Sequence, residues 1–306
     1  MNNSIIMIPY ANLEKMKSGV NVNDNRRFDI YIKNCCVSLL SAKKYNPDTD
    51  VALVTNIEVP EEYEKKLRNN NVLIIKAEFN DFVFPNDYKW GLAFYKLCAL
   101  KYVVENYNYE FYSYLDSDVY IQSSFDNIWN ECKDNVLLYD INHGLQVRDY
   151  RLFLKDYYSF TGSNKNITHY GGEFFAASRE SAEIFISECY KIYSEMIGKK
   201  FFTSFGDEFI ISQAAEKQKA LIKNAGAYIY RFWTGAFHLV STCYRYNPIT
   251  VIHVPDEKNC GMLKIYNYYC RNNKLPPIEK IYSILGLKHM KCKTALKRFA
   301  KKLLRR

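Results

Sequence analysis

The sequence predicts an α/β protein whose central sheet is mostly parallel and is covered by helices on both faces. Short apolar runs typical of buried strands alternate with longer segments of helical spacing up to residue 115. This alternation indicates successive β-α-β units, which build parallel sheets. The chain has 306 residues, of which 48% are hydrophobic and 25% charged. It is therefore long enough for a sizeable core, and a disordered or fibrous protein is excluded.

The N-terminal part is predicted to contain four strands and three helices. The first strand is an apolar run that ends at Pro9, and a turn at residues 46–48 separates the first helix from the second strand. The predicted strands are residues 4–8, 51–55, 72–75 and 111–115, and the predicted helices are residues 29–43, 61–69 and 89–105.

The pattern is less regular after residue 120. Apolar runs predict strands at residues 136–139, 173–177 and 250–254, and helical spacing predicts helices at residues 181–195 and 207–218. We expect three parts, which are residues 1–120, residues 121–260 and a C-terminal helical region of residues 261–306.

The positive charge is concentrated in the last twenty residues. Lys and Arg number 42 against 33 Asp and Glu, a formal charge of +9, and nine of the basic residues follow Leu287 with no acid among them. The rest of the chain is formally neutral. A uniformly basic nucleic-acid-binding protein is not expected to have this distribution, so no nucleic-acid partner is predicted.

This C-terminal tail has the spacing of an amphipathic helix. From Leu296 onwards, apolar residues recur at intervals of three and four, with Lys and Arg at most of the positions between them. A basic amphipathic helix binds in the interface of an anionic membrane. The alternatives are a disordered basic tail and one that binds RNA without sequence preference.

The sequence predicts a cytoplasmic protein that is peripheral on the inner face of the cell membrane. Its first residues lack the basic segment and long apolar run of a signal peptide, and no apolar run is long enough for a transmembrane helix. The nine cysteines form no CxxC pair, which favours reduced thiols that pack in the core.

The most informative motif is Asp116-Ser117-Asp118, directly after the strand at residues 111–115. Ligands of open α/β sheets bind beyond the carboxyl ends of the strands. Two residues apart in an extended chain, both carboxylates would point to one side and suit a hard divalent cation. The alternative is a turn or a helix cap. Asp48 and Asp50 have the same spacing but precede their strand, so we interpret them as part of a turn.

His253 ends the apolar strand near residue 250, where an imidazole could join the two carboxylates as a metal ligand. Its alternative role is to bind a backbone carbonyl. Lys258 follows five residues later and could reach a phosphate as a point charge, or could be an ordinary solvated lysine.

Two further segments are candidates for ligand binding. Gly171 and Gly172 precede Glu173, and paired glycines allow close approach of a ligand to the backbone, although a hairpin turn is the alternative. Asp207 and Glu208 open a predicted helix, where the helix dipole alone could explain them. Their functional interpretation is sugar hydroxyl binding and stabilisation of transition-state charge.

Taken in this order, the motifs resemble those of GT-A glycosyltransferases, over roughly residues 4 to 260. The Asp-Ser-Asp segment is similar to their D-x-D motif, and the retaining branch with glycogenin and the lipopolysaccharide galactosyl- and glucosyltransferases is most similar. The resemblance implies donor-binding, metal-binding and catalytic roles for residues at matching positions. The donor-binding residues would be Pro9, Tyr10, Lys96, Asp116, Ser117, Gly171, Gly172 and Lys258; the metal ligands Asp116, Asp118 and His253; and the catalytic residues Glu173, Asp207 and Glu208.

The resemblance also implies a function. A Mn²⁺ or Mg²⁺ ion would act as a Lewis acid on the diphosphate of a nucleotide sugar, with a UDP-sugar as the expected donor. Residues 1–120 would bind the donor and residues 121–260 the acceptor. The acceptor would be a glycan or a lipid-linked glycan of bacterial lipopolysaccharide, O-antigen or capsule.

Two other functions remain open at the level of sequence. A nucleotidyltransferase would use the same type of sheet, although the chain lacks a Gly-rich loop after the first strand. A non-catalytic membrane-associated binding protein would not require Asp116, Asp118 and His253 together.

Overall fold

The computed structural model describes residues 3–12, 24–143, 148–234 and 249–287, together with Ala300. The strands are β1 Ser4–Tyr10, β2 Asp50–Thr55, β3 Leu73–Lys76, β4 Phe111–Leu115, β5 Val119–Ile121, β6 Val136–Asp140, β7 Tyr170–Ser178, β8 Ile222–Asn224, β9 Ile229–Arg231 and β10 Val251–His253. The helices are α1 Asp24–Tyr45, α2 Glu61–Arg68, α3 Tyr95–Asn106, α4 Asp126–Glu131, α5 Arg148–Thr161, α6 Arg179–Gly198, α7 Asp207–Lys217, α8 Gly261–Asn272 and α9 Ile278–Ile284.

Seven strands form a central sheet in the order β3-β2-β1-β4-β7-β6-β8. The pairs β3-β2, β2-β1, β1-β4 and β6-β8 are parallel, whereas β7 runs antiparallel to both β4 and β6. A second sheet has the order β5-β10-β9. The predicted α/β class with a mostly parallel sheet is therefore confirmed.

Strand β1 shows why helices cover both faces of the sheet. All seven of its residues are buried. Successive side chains of a strand point to opposite faces, and Ile6 and Ile8 join one core cluster while Ile5 and Met7 join the other. Helix α1 contributes to the first cluster, and α3 and α6 contribute to the second. A strand that is apolar at nearly every position is the expected result.

The structure departs from the predictions in several places. Helix α1 begins five residues earlier than predicted, and the segment predicted as one helix from residue 89 begins with a 3-10 turn at Gly91–Phe94. Gly171 and Gly172 lie inside β7, so the hairpin alternative is wrong. Strands β5, β8 and β9 were not predicted because three residues are too few to show a periodic pattern.

The described part of the chain includes cysteines that were expected to be reduced and buried. Cys35, Cys36, Cys98 and Cys189 are buried and unpaired, as expected of small core residues. Within the described residues, no helix is long and apolar enough to cross a membrane. The predicted amphipathic tail helix lies outside the described residues, apart from Ala300.

A candidate metal and donor site

The candidate site lies where the second sheet meets the carboxyl end of β4. The chain leaves β4 at Leu115, turns through residues 116–118 and continues as β5. Strand β10 pairs antiparallel with β5, and its last residue, His253, is opposite Val119. This register places His253 beside the turn that bears the carboxylates. The turn is also tied to β10 and β7, because Val254 N donates to Asp118 O at 3.0 Å and Asp116 N donates to Glu173 O at 3.1 Å.

Asp116, Asp118 and His253 converge. One ligand atom of each lies within 4.8 Å of the others. Nε2 of His253 is 3.2 Å from Oδ2 of Asp118 and 3.8 Å from Oδ2 of Asp116. The motif is a turn and not the extended segment that the sequence analysis assumed. The turn that was given as the alternative structure and the pair of converging carboxylates are therefore both present. The carboxylates converge because the turn is held against β10.

These three side chains fit a divalent cation. The ligands of an octahedral ion at about 2.1 Å lie about 3 to 4 Å apart, close to the separations observed. Oδ1 of Asp118 is buried without a hydrogen-bond partner, and Asp118 is only 1% exposed. An unpaired buried carboxylate oxygen is costly, and a metal ion would satisfy it. Two carboxylates with one imidazole are a donor set suited to Mn²⁺ or Mg²⁺.

The electrostatics of the pair Asp118 and His253 favour ionised side chains. Burial raises the pKa of Asp118, but the nearby Lys258 and His253 outweigh it and hold the pKa well below its usual range. Burial lowers the pKa of His253, yet the carboxylates of Asp118 and Glu173 raise it to about 9. Without a cation, His253 is therefore an imidazolium at neutral pH.

Lys258 lies in this cluster and is not an ordinary solvated lysine. Its Nζ is 3.1 Å from Oδ2 of Asp118, the same oxygen that contacts His253. Its ammonium also lies 5.8 Å from the ring centroid of Tyr31, which stacks on Tyr10 at 5.8 Å. Pro9 and Tyr10 end β1, and Tyr31 connects Tyr10, one of the residues predicted for the nucleotide, with Lys258.

Lys96 links the motif to the start of α7. From the first turn of α3, its Nζ is 3.0 Å from Oδ1 of Asp116 and 3.0 Å from Oδ2 of Asp207. Burial raises the pKa of Asp207 to about 6, against the lowering effect of Lys96. Gly172 allows this close packing, because a Cβ built on it would lie 2.1 Å from Oδ2 of Asp207. Gly206, which precedes the helix, has a φ of 63°, a conformation that favours glycine.

A second cluster of charged side chains contacts His253 through its Nδ1 atom. Glu173 is 1% exposed and accepts two hydrogen bonds of 2.6 Å from Arg231, and its Oε1 lies 3.3 Å from Nδ1 of His253. Arg231 also donates to Glu208 at 3.2 Å, and the other oxygen of Glu208 is 3.0 Å from Nε2 of His169. Burial opposes the ionisation of Glu208, but His169 and Arg231 lower its pKa.

Ser117 is buried within the turn, and its carbonyl accepts a hydrogen bond from Ser38 of α1. Gly171 packs against Glu173, from whose Oε2 a built Cβ would be 1.9 Å. Asp50, used as the comparison for the motif, begins β2 and accepts a hydrogen bond from Tyr109. Because β1, β2 and β4 are parallel, Asp50 lies at the opposite end of the sheet from Asp116.

Sequence reasoning missed Arg231, His169 and Ser38. Arg231 ends a three-residue strand, and His169 directly precedes the Tyr-Gly-Gly segment. The position of His169 next to a suspected ligand-binding segment was a signal that could have been used. Ser38 gave none, because a serine within an apolar helix pattern identifies no partner.

Comparison with known proteins identifies the fold. The chain is similar to the crystal structure of mouse xyloside xylosyltransferase 1 in its apo form, with a TM-score of 0.52 and 10% sequence identity, over 84% of this chain and 98% of that chain. No protein-family model matches the chain, and no curated protein matches it. At this identity the similarity concerns the fold. The chain therefore has a glycosyltransferase fold of the GT-A type, with an acidic group that could hold a metal ion.

Proposed function

We propose that the protein is a metal-dependent glycosyltransferase that moves a sugar from a nucleotide sugar, with a UDP-sugar as the first candidate donor. The observation that carries this proposal is the convergence of Asp116, Asp118 and His253 at the carboxyl end of the sheet in a GT-A type fold. The fold alone would not suffice, because one fold hosts many activities. The buried, unpartnered Oδ1 of Asp118 supports a bound cation there.

Mn²⁺ or Mg²⁺ is the proposed cofactor, held by Asp116, Asp118 and His253. The imidazole ligand favours Mn²⁺. When bound, the ion supplies Lewis acidity to the leaving diphosphate. Glu173 orients His253 through Nδ1, and its own position is fixed by the bidentate contact with Arg231. Since Glu173 is almost fully buried, we assign it this supporting role in place of direct contact with substrate.

The donor is proposed to lie along Tyr10, Lys258 and Lys96. Lys258 has an ammonium within reach of the metal ligands and would pair with a phosphate oxygen. Tyr10 and Pro9 would contact the base at the end of β1. Ser117, Gly171 and Gly172 would lie behind the sugar end of the site, where the two glycines leave room for the carboxylates of Glu173 and Asp207.

The sugar is proposed to face α7. Glu208 has a side chain that is 23% exposed and is held as an anion by Arg231 and His169, so it can stabilise positive charge that develops on the sugar ring. Asp207 has a pKa near 6, which suits a general base, but Lys96 holds its buried carboxylate. Glu208 is therefore the better candidate for direct contact with the reacting sugar.

The acceptor is proposed to be a glycan or a lipid-linked glycan of a bacterial cell-surface polysaccharide, bound by residues 121–260, while residues 1–120 bind the donor. The basic tail after Leu287 supports a membrane-bound acceptor, because its apolar spacing suits an anionic membrane surface. The protein would then be cytoplasmic and peripheral on the inner face of the membrane. The lipopolysaccharide and glycogenin branch remains the resemblance that motivates this choice.

The test is release of nucleoside diphosphate from a panel of nucleotide sugars. Protein stripped of metal by EDTA is assayed alone and after addition of Mn²⁺ or Mg²⁺. We expect one donor to be hydrolysed or transferred, and only with a divalent cation. Release of pyrophosphate from a nucleoside triphosphate and a sugar phosphate would instead identify a nucleotidyltransferase. Metal-independent turnover of a nucleotide sugar would refute the proposed role of the ion.

A further inference from the structure

Helix α1 carries three polar side chains that are fully buried. Asn34, Ser38 and Ser41 are each 0% exposed and, at spacings of four and three residues, lie on one face of the helix. Ser and Asn are unfavourable in a helix interior, and a buried polar group is costly unless it is hydrogen-bonded. All three are hydrogen-bonded to backbone atoms of segments that carry or adjoin the candidate site. Their partners are Lys258 O for Asn34, Ser117 O and Val119 O for Ser38, and Ile121 N for Ser41.

Ser38 has the most specific position. Its hydroxyl lies 2.7 Å from the carbonyl oxygen of Ser117 and 2.7 Å from that of Val119. These two residues flank Asp118 in the chain. One hydroxyl proton is thus shared between the carbonyls on either side of the buried carboxylate, and the backbone is held from the side of α1.

The opposite side of the turn is held by β10. Val254 N donates to Asp118 O at 3.0 Å. Asp118 is therefore clamped between the helix and the strand that bears His253, and its carboxylate has little freedom to turn away from that ring. Small changes in this backbone would move Oδ1 and Oδ2 relative to His253 and Asp116.

We propose that Ser38 is a positioning residue that sets the metal affinity of the site by fixing the backbone on both sides of Asp118. This inference rests on the proposed function, since it assumes that Asp116, Asp118 and His253 bind the cation. Outer residues that orient metal ligands typically change metal affinity by about 10- to 100-fold when removed. Ser38 acts through the backbone, so we expect a change near the lower end.

The experiment measures the Kd of the full-length protein for Mn²⁺ alone, from the electron paramagnetic resonance signal of free Mn²⁺. Ser38→Ala removes the shared donor, and Ser41→Ala is the matched control. Ser41 is equally buried on the same helix and also makes two hydrogen bonds, to Ile121 N and to Ser38 O, but its strand contact lies three residues beyond Asp118. We expect Ser38→Ala to raise the Kd about tenfold and Ser41→Ala to change it less than twofold.

Thermal unfolding of both variants separates positioning from general destabilisation, because the two should lose similar stability. If Ser38→Ala does not fold, Ser38→Cys keeps a similar volume and a weak donor and should also raise the Kd. An unchanged Kd in the Ser38 variant, or an equal rise in the Ser41 variant, would overturn the proposal. Asp118→Asn separates a failure of the proposed metal site from a failure of the positioning role of Ser38. If Asp118→Asn binds Mn²⁺ like the native protein, the metal site itself is wrong. If Asp118→Asn loses Mn²⁺ binding but Ser38→Ala keeps it, only the positioning role fails.

Discussion

Gly172→Ala is the substitution for which the structure gives the most direct expectation. Gly172 lies in β7 beneath the ion pair of Lys96 and Asp207. An added Cβ would be 2.1 Å from Oδ2 of Asp207 and 2.8 Å from Nζ of Lys96. Ordinary contacts begin at 3.4 Å, so the carboxylate would have to retreat by more than 1 Å. Asp207 is 4% exposed and begins α7, which leaves it little room to move.

The magnitude follows from two effects. Overpacking of a buried site costs typically about 1 to 3 kcal/mol. In a chain of this length, each kcal/mol lowers the melting temperature by about 2 °C, so we expect a decrease of about 2 to 6 °C. The larger effect concerns catalysis, because Lys96 also contacts Asp116 at 3.0 Å. A displacement of about 1 Å in such a site can cost about 100-fold in turnover.

The assay combines thermal unfolding with metal-dependent donor hydrolysis, and Gly198→Ala is the control. Gly198 ends α6 in an ordinary helical position, and a Cβ on it would meet no atom within 4 Å. Alanine there should be neutral or stabilising by about 0.4 to 1 kcal/mol. If Gly172→Ala had the same melting temperature and the same turnover as Gly198→Ala, the packing of the Lys96 and Asp207 pair against β7 would be refuted.

Four further predictions concern the metal ligand Asp118, the protonation of His253, the phosphate contact of Lys258 and the C-terminal tail. Asp118→Asn should reduce turnover at least 100-fold because it removes a metal ligand, whereas Asp50→Asn at the other end of the sheet should change it less than twofold; both are measured as diphosphate release. The pKa of His253 near 9 lies above its unfolded value, so the imidazolium contributes stability below pH 6.5 that is lost as the pH rises through 9. Since the metal needs the neutral ring, calorimetry on metal-free protein should find Mn²⁺ affinity rising up to tenfold per pH unit between pH 7 and 9, a slope that His253→Gln abolishes. Lys258→Met should strengthen binding of Mn²⁺ alone but weaken binding of UDP in the presence of Mn²⁺, each by about tenfold; a fall in both would contradict the shared-oxygen geometry. The full-length chain should float with anionic vesicles but not with neutral ones. A chain shortened to end at Leu287 should no longer float with anionic vesicles; Leu287 is kept because it is buried.

The sheet could be predicted from the sequence because its strands carry their own signal. Strands β1, β2 and β4 are buried along almost their whole length, and a run of mainly apolar residues identifies each of them. In the second sheet only β10 carries such a signal, as part of the apolar run at residues 250–254. This sheet joins residues that are more than a hundred positions apart, as His253 and Val119 are, through strands of three residues. Long-range pairing of short strands leaves no periodic pattern in one sequence.

The same difference explains which site residues could be predicted. Asp116 and Asp118 were predictable because they follow a strand that is itself predictable. Arg231 was not, although it forms ion pairs with two carboxylates, because its strand is defined by its neighbours and not by its own residues. The assumed extended geometry of the motif was wrong for a related reason. Its carboxylates converge through contacts with β10 and α1, which the local sequence does not encode.

The sharing of one oxygen suggests an order of binding. Nε2 of His253 and Nζ of Lys258 both contact Oδ2 of Asp118, so a cation that binds this carboxylate competes with both of them for its negative charge. The imidazolium can then lose its proton and become a ligand, which removes one positive charge. The ammonium stays charged, and without its carboxylate it would be a buried cation that needs an anion. The diphosphate of the proposed donor would bring that anion to the same place. Binding of the metal would thus prepare Lys258 for the nucleotide, and the nucleotide would in turn stabilise the metal-bound arrangement.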